Sequence, residues 1–177
     1  MNAVAWFLPG VACSIVASMI VAPSVARTLR TGRLVAWLLA VSLGVILSAT
    51  VTPIQATLDI GGLAGRPCDF SRIGLASLAE LLTVSDTSLN AVLFVPLGWA
   101  MGLIPNTRRK LILILVVLAL PFGIEALQLW APILGRGCES ADVIDNLTGL
   151  ALGLAGATAF RWLQPAQRSA GDPAARA

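Results

Sequence analysis

Five long apolar runs, separated by short polar or basic segments, set the pattern of this chain. They cover about residues 3–22, 34–52, 89–104, 111–130 and 143–163. A helix needs ~20 apolar residues to cross the hydrocarbon core of a bilayer. The pattern therefore predicts an all-α, polytopic transmembrane bundle of about five spans, the third of them short. The long connection from Pro53 to Ser88 is the main extramembrane element. Its first half, with Gly61, Gly62, Gly65 and Pro67, reads as irregular loop. Its second half, Ser71 to Leu82, carries Ile73, Leu75, Leu78, Leu81 and Leu82 at a loosely helical spacing. That fits a helix lying on the outer leaflet and equally an ordinary covering loop. Residues 164–177, rich in Ala, Arg, Pro and Gly, predict a disordered tail after a single domain over 1–163.

Composition agrees with this picture. Of the 177 residues, 57% are hydrophobic and 12% charged, too apolar a balance for a soluble domain of this size. There is no His and no Tyr, so an imidazole base and a His-ligated zinc site are excluded, and no cofactor or metal is expected. Nine of the twelve bases fall in three groups: Arg27, Arg30 and Arg33; Arg108, Arg109 and Lys110; Arg161, Arg168 and Arg176. By the positive-inside rule these mark the cytoplasmic side, with the N-terminus outside and the C-terminal tail inside. Bases in short clusters between apolar runs are topology determinants and no nucleic-acid footprint. The outer side holds Arg66, Arg72 and Arg136 with seven acids, Asp59, Asp69, Glu80, Asp86, Glu139, Asp142 and Asp145. The first run resembles a signal peptide, with Ser24-Val25-Ala26 as a cleavage site. Its bases come after the apolar stretch, so it is expected to stay as a span.

Glu125 changes the picture most. It lies inside the fourth run, where a carboxylate costs roughly 2.5–3.5 kcal/mol on insertion scales and is normally kept for a reason. Gln128 follows on the same helical face. Beyond the exit loop, Asp142, Asn146, Gly149 and Gly153 share one face of the fifth run, with the polar pair at its outer end. Tight packing of this hairpin would bring Glu125, Gln128, Asp142 and Asn146 together, and Arg136 in the loop could pair with Glu125 or Asp142. The same residues can serve as a structural clasp, as a clasp that also binds a ligand, or in part as helix caps: Asp142 near a helix start, Asp145 in a first turn, Asn90 at the head of the third run. Gly149, Gly153 and Ala157 form a small-residue stripe for helix packing. Pro96 and Pro121 are positions where the third and fourth helices can bend.

The cysteines tie loops together. Cys68 and Cys138 both fall on the predicted outer side, where thiols oxidise, so a disulfide between the long loop and the exit loop is expected; the alternative is two free or metal-bound thiols. Cys13, inside the first run, reads as a packing residue. Gly65-Arg66-Pro67-Cys68-Asp69 is echoed seventy positions later by Gly135-Arg136-Gly137-Cys138-Glu139, which suggests an old duplication or a coincidence.

Asn90, Phe94-x-Pro96-Leu97-Gly98, Glu125-x-x-Gln128 and Arg136-x-x-Glu139-x-x-Asp142-x-x-x-Asn146-x-x-Gly149-x-x-x-Gly153 together resemble the VanZ-like membrane proteins. The resemblance covers about residues 88 to 160. The family often has Asp where Glu139 stands. Its founding member is linked to teicoplanin resistance in bacteria, so the resemblance implies a bacterial plasma-membrane protein with a cell-envelope role, antibiotic resistance being one form of it. The functional expectation is an outward-facing polar site formed by Asn90, Glu125, Gln128, Arg136, Glu139, Asp142 and Asn146 that takes a membrane lipid or lipid-linked envelope precursor. Two other classes stand beside it. One is an enzyme on a lipid substrate, with Glu125 as general acid or base or with Glu139, Asp142 and Asp145 around a divalent cation. No Ser or Cys nucleophile paired with a base and no Gly-rich phosphate loop is visible. The other is a structural or partner-binding membrane protein of undetermined oligomeric state.

Overall fold

The structure, a computed structural model, describes residues 6–54 and 67–170, the last seven as backbone only. The glycine-rich first half of the long connection, including Asp59, Gly61, Gly62, Gly65 and Arg66, and tail residues 171–177 lie outside the described residues. Among the described residues six α-helices follow in order: α1 (Phe7–Leu29), α2 (Arg33–Thr50), α3 (Leu78–Leu82), α4 (Asp86–Leu103), α5 (Arg108–Trp130) and α6 (Ser140–Ala170). A 3-10 turn, Pro132–Leu134, leads from α5 toward α6. Among the described residues there is no strand. One parallel bridge pairs Asp69 with Glu139.

By length and composition α1, α2, α5 and the Ser140–Leu163 part of α6 can each cross a membrane. The third predicted span, α4, is the polar exception, because its first turns hold Asp86, Thr87, Ser88 and Asn90. It is also the centre of the bundle. Phe94, Leu97, Ala100 and Met101 are buried on it, and it packs on α2, α3 and above all α6. Val117 and Ile124 of α5 and Leu29 of α1 close the same core. An inner helix faces protein on most sides, so it does not need the uniformly apolar surface of a lipid-facing one. α5 shows the opposite pattern, with Leu111, Ile112, Leu115, Val116 and Phe122 exposed.

Lipid is as apolar as leucine, so helices here gain little from burying apolar area against each other and depend on close contact. The α4–α6 seam is built for it. A Cβ added at Gly98 would overlap the carbonyl of Leu150, one at Gly149 that of Ala91, and one at Gly153 that of Val95. The α1–α2 hairpin uses reciprocal small pairs: a Cβ at Gly10 would sit 2.6 Å from Ser48 Oγ, and Gly44 faces Ser14 in the same way. These serines satisfy themselves locally. Ser14 Oγ donates to Gly10 O at 2.7 Å and Ser48 Oγ to Gly44 O at 2.8 Å, the usual way to carry a hydroxyl at depth.

Helix starts and stops follow their side chains. Thr107 Oγ1 accepts from Lys110 N to open α5. Ser85 and Ser88 cap the start of α4 reciprocally. Ser77 with Glu80 makes a capping box for α3. Of the two open readings of Ser71–Leu82, helix or covering loop, each holds in part: the box starts a helix of five residues, and the chain upstream of Ser77 is held in other bonds. Phe70, Ile73, Leu75, Leu78, Leu82 and Val84 all remain exposed along this segment. At the far end α6 continues to Ala170, seven residues past the expected boundary at Leu163. Pro96 and Pro121 both lie inside unbroken helices.

The charges segregate to two ends. At one, Arg109 donates to Thr28 O and Arg161 Nη1 to Gly102 O at 3.2 Å, joining the start of α5 to the end of α1 and α6 to the end of α4. At the other stand the ends of α2 and α5 and the starts of α4 and α6, with all the described Asp and Glu side chains.

Gly149→Ala should cost about 1–3 kcal/mol through overpacking, because the atoms in the way are backbone and cannot turn aside. Gly123, with open space where a Cβ would go, should accept Ala with a neutral effect or a gain of about 0.5–1 kcal/mol. Thermal unfolding of detergent-solubilised protein would compare them; equal effects would show that the seam is not closely packed.

Candidate functional site

The acidic end is organised by two helix ends that point into the protein. The last four carbonyls of a helix lack intrahelical partners. On α2, Gln128 Nε2 donates to Thr50 O at 3.1 Å and Arg136 Nη2 to Ala49 O at 2.6 Å. A cation beside a helix C-terminus is also favoured by the helix dipole. The start of α6 has the converse need. Glu139 N, immediately before Ser140, donates to Glu125 Oε2 at 2.7 Å, and Ser140 N donates to Asp69 O at 2.9 Å. The intramembrane carboxyl of α5 is therefore held by the N-terminal end of α6, where negative charge is favoured.

Arg136 is not its ion-pair partner. Among the described residues the ion pair is Arg72 with Asp145, and the expected pairing of Arg136 with Glu125 or Asp142 does not form. Its guanidinium is drawn instead to the open end of α2. Burial lowers the pKa of Arg136, against the nearby charges of Asp142, Asp86 and Glu125. Arg72 moves the other way, its pKa raised by the hydrogen bond to Asp145. Arg72 was the residue missed in sequence. The available signal was Asp145 itself: a buried acid on α6, 1% exposed, needs a base, and only Arg66, Arg72 and Arg136 share its side.

The second tether runs from the long connection. Cys68 and Cys138 are joined by a disulfide with their Cα atoms 4.5 Å apart. One residue on, Asp69 N donates to Cys138 O at 2.8 Å. The two loops with echoing sequences thus meet at equivalent positions, Cys68 with Cys138 and Asp69 with Glu139. Ser140 Oγ donates to Arg72 O at 2.7 Å. Asp69 turns back to accept from Ser71 N at 2.7 Å, which lowers its pKa.

The remaining predicted residues fall around this frame. Asn90 Nδ2 of α4 donates to Asp142 Oδ1 of α6 at 2.7 Å. Asn146 is buried one turn deeper. Glu125, Gln128, Asp145 and Asn146 form a buried floor; Asn90, Arg136 and Asp142 are half-buried, and Glu139 is exposed at the rim. Glu125 lies close enough to Asp142, Glu139 and Arg136 to feel their charges. Gln128 shares the region but turns toward α2. Four buried side-chain atoms, Gln128 Oε1, Arg136 Nε, Asp145 Oδ1 and Asn146 Oδ1, have no hydrogen-bond partner among the described residues. Glu139, Asp142 and Asp145 do not converge; among the described residues no group of three such side chains could hold a metal ion.

The model of the VanZ/LLP1 family matches residues 71–161. The chain belongs to the VanZ-like family. No curated protein and no solved structure matches it. The VanZ-like match begins beside Arg72, takes in every polar residue of the floor and rim, and ends at Arg161. It leaves out the α1–α2 hairpin, although Gln128 and Arg136 anchor on the last carbonyls of α2. It also leaves out Cys68, the partner of Cys138. In this VanZ-like membrane protein the matched helices thus supply the polar groups, and the N-terminal hairpin supplies two of the acceptors.

Removing Arg72 leaves the buried Asp145 charge without its partner, so Arg72→Ala should destabilise the fold by about 3–5 kcal/mol. Arg72→Met combined with Asp145→Leu should recover much of that loss, and a double-mutant cycle on thermal unfolding measures the coupling; additive losses would dismiss the pair as a stabilising element. The disulfide predicts one alkylatable thiol, Cys13, in denatured unreduced protein and three after reduction; mass analysis that finds three before reduction would refute it.

Proposed function

We propose that this VanZ-like protein binds an amphiphilic component of the bacterial cell envelope at its acidic end, and that this binding underlies any effect on glycopeptide (teicoplanin) resistance. The supporting observation is the buried polar floor. Four buried side-chain polar atoms without partners among the described residues are costly, and three of them stand behind a half-buried rim that a head group can reach. The mixture of carboxylates with the guanidinium of Arg136 suits a ligand carrying hydrogen-bond donors as well as an anionic group. Apolar helices around it suit a lipid tail. The same reading places the acidic end outside the plasma membrane and the basic end in the cytoplasm, following the excess of Arg and Lys.

A structural reading is favoured by a different observation: Glu125, Gln128 and Arg136 each also bond to backbone and tie loops to helix ends. The two separate experimentally. Lipids copurified with wild type, Glu125→Ala and Glu125→Gln would be compared at matched membrane levels. Binding predicts that both variants lose a lipid species while remaining folded. Unchanged lipid profiles together with reduced protein levels would leave only the structural role. In a teicoplanin-sensitive bacterium, protection by wild type and not by a well-expressed Glu125→Ala would extend the reading to resistance.

A further inference from the structure

The opposite end of the molecule carries a pocket that the polar site does not explain. It has a volume of about 550 Å³ and lies between the end of α4, the first turn of α5 and the second half of α6. Asn106, Lys110, Thr158 and Arg161 contribute its polar lining, Leu154 and Trp162 its apolar wall. Lys110 is 8% exposed, an unusual place for an ammonium group. Neither Lys110 nor Arg161 makes an ion pair among the described residues. Their bonds are to neutral oxygens: Lys110 Nζ donates to Ile104 O at 2.9 Å and Asn106 Oδ1 at 3.1 Å, and Arg161 Nη1 to Gly102 O at 3.2 Å. An ammonium has three donors and a guanidinium five, so both retain donors after these bonds. Two cations therefore share one pocket with no described carboxylate between them. The start of α5, whose N-terminal dipole also favours negative charge, forms part of the same wall.

We propose that this pocket binds a phosphate group, as a mono- or diester, between Lys110 and Arg161. An anion there would neutralise two like charges at once, and Arg with Lys is the donor combination that phosphate oxygens take. Leu154 and Trp162 leave an apolar flank beside the charged centre, which accommodates the glycerol or acyl part of an anionic lipid. A soluble phosphate ester would use the same two cations without that flank.

The test uses the full chain in phosphatidylcholine nanodiscs, titrated separately with phosphatidylglycerol and with inorganic phosphate, and read by native mass spectrometry and by the shift in melting temperature. Lys110→Gln and Arg161→Gln are compared with Arg33→Gln, which removes the same charge from the same end but outside the pocket. A saturable adduct and a raised melting temperature in wild type, weakened about tenfold or more in the two pocket variants and unchanged in Arg33→Gln, is the expected result. Binding of phosphatidylglycerol alone assigns the pocket to lipid; binding of both probes shows that the phosphate group suffices; binding of inorganic phosphate alone assigns it to a soluble ester. No binding to wild type, or an equal loss in Arg33→Gln, overturns the proposal. Arg161 is exposed, so Arg161→Gln decides the matter even where loss of the buried Lys110 disturbs folding. Glu125→Ala should leave this binding intact, which keeps its failure separate from that of the acidic site.

Discussion

A helix that ends inside a membrane protein leaves backbone groups which neither water nor lipid can satisfy. The acidic end of this protein is arranged around that constraint. The open carbonyls of α2 take the amide of Gln128 and the guanidinium of Arg136. The backbone N–H groups that open α6 take the carboxyl of Glu125 and the carbonyl of Asp69. Glu125, Gln128 and Arg136 are thereby each held by an element other than their own. The site is rigid because the helix ends require these partners, and the helix ends are tolerable because the side chains are present.

Such an arrangement works only if the helices stand close enough. The glycines at 98, 149 and 153 let α4 and α6 approach until backbone meets backbone. That approach puts Asn90 within 2.7 Å of Asp142 and sets the depth of Asn146. The disulfide and the Arg72–Asp145 pair then fix the long connection over the start of α6. Packing far from the polar groups and covalent closure above them act on the same few residues, so a change at either level is transmitted to the floor.

The spans were legible because hydropathy is a property of each run alone. The helical hairpins and the small-residue stripe followed from spacing, and the cost of charge in hydrocarbon marked Glu125 as a side chain that needs a partner. The partners were not legible. Arg136 looked like the counter-ion of Glu125 because both are charged and adjacent in the hairpin, yet the demand of α2 for a donor outweighed that pairing. Arg72 carried no local mark at all; its role appears only when the chain folds back over α6. The choice between helix and loop over Ser71–Leu82 stayed open because the apolar spacing from Ile73 to Leu82 says nothing of Ser77, whose capping box with Glu80 starts a five-residue helix.

The two ends also differ in how their charges are compensated, and this difference separates a closed cluster from an open one. At the acidic end carboxylates meet a guanidinium, amides and backbone donors, and the deepest groups are almost wholly enclosed. At the basic end Lys110 is also buried but among the described residues meets only neutral oxygens, beside a pocket with space in it. Topology alone requires basic residues near the membrane surface; it gives no reason to bury one. Arg27, Arg30, Arg33 and Arg108 satisfy the topological need from exposed or peripheral positions. The burial of Lys110 facing Arg161 is therefore a separate feature of the fold, and it is most simply understood as preparation for an anion that the described residues do not supply.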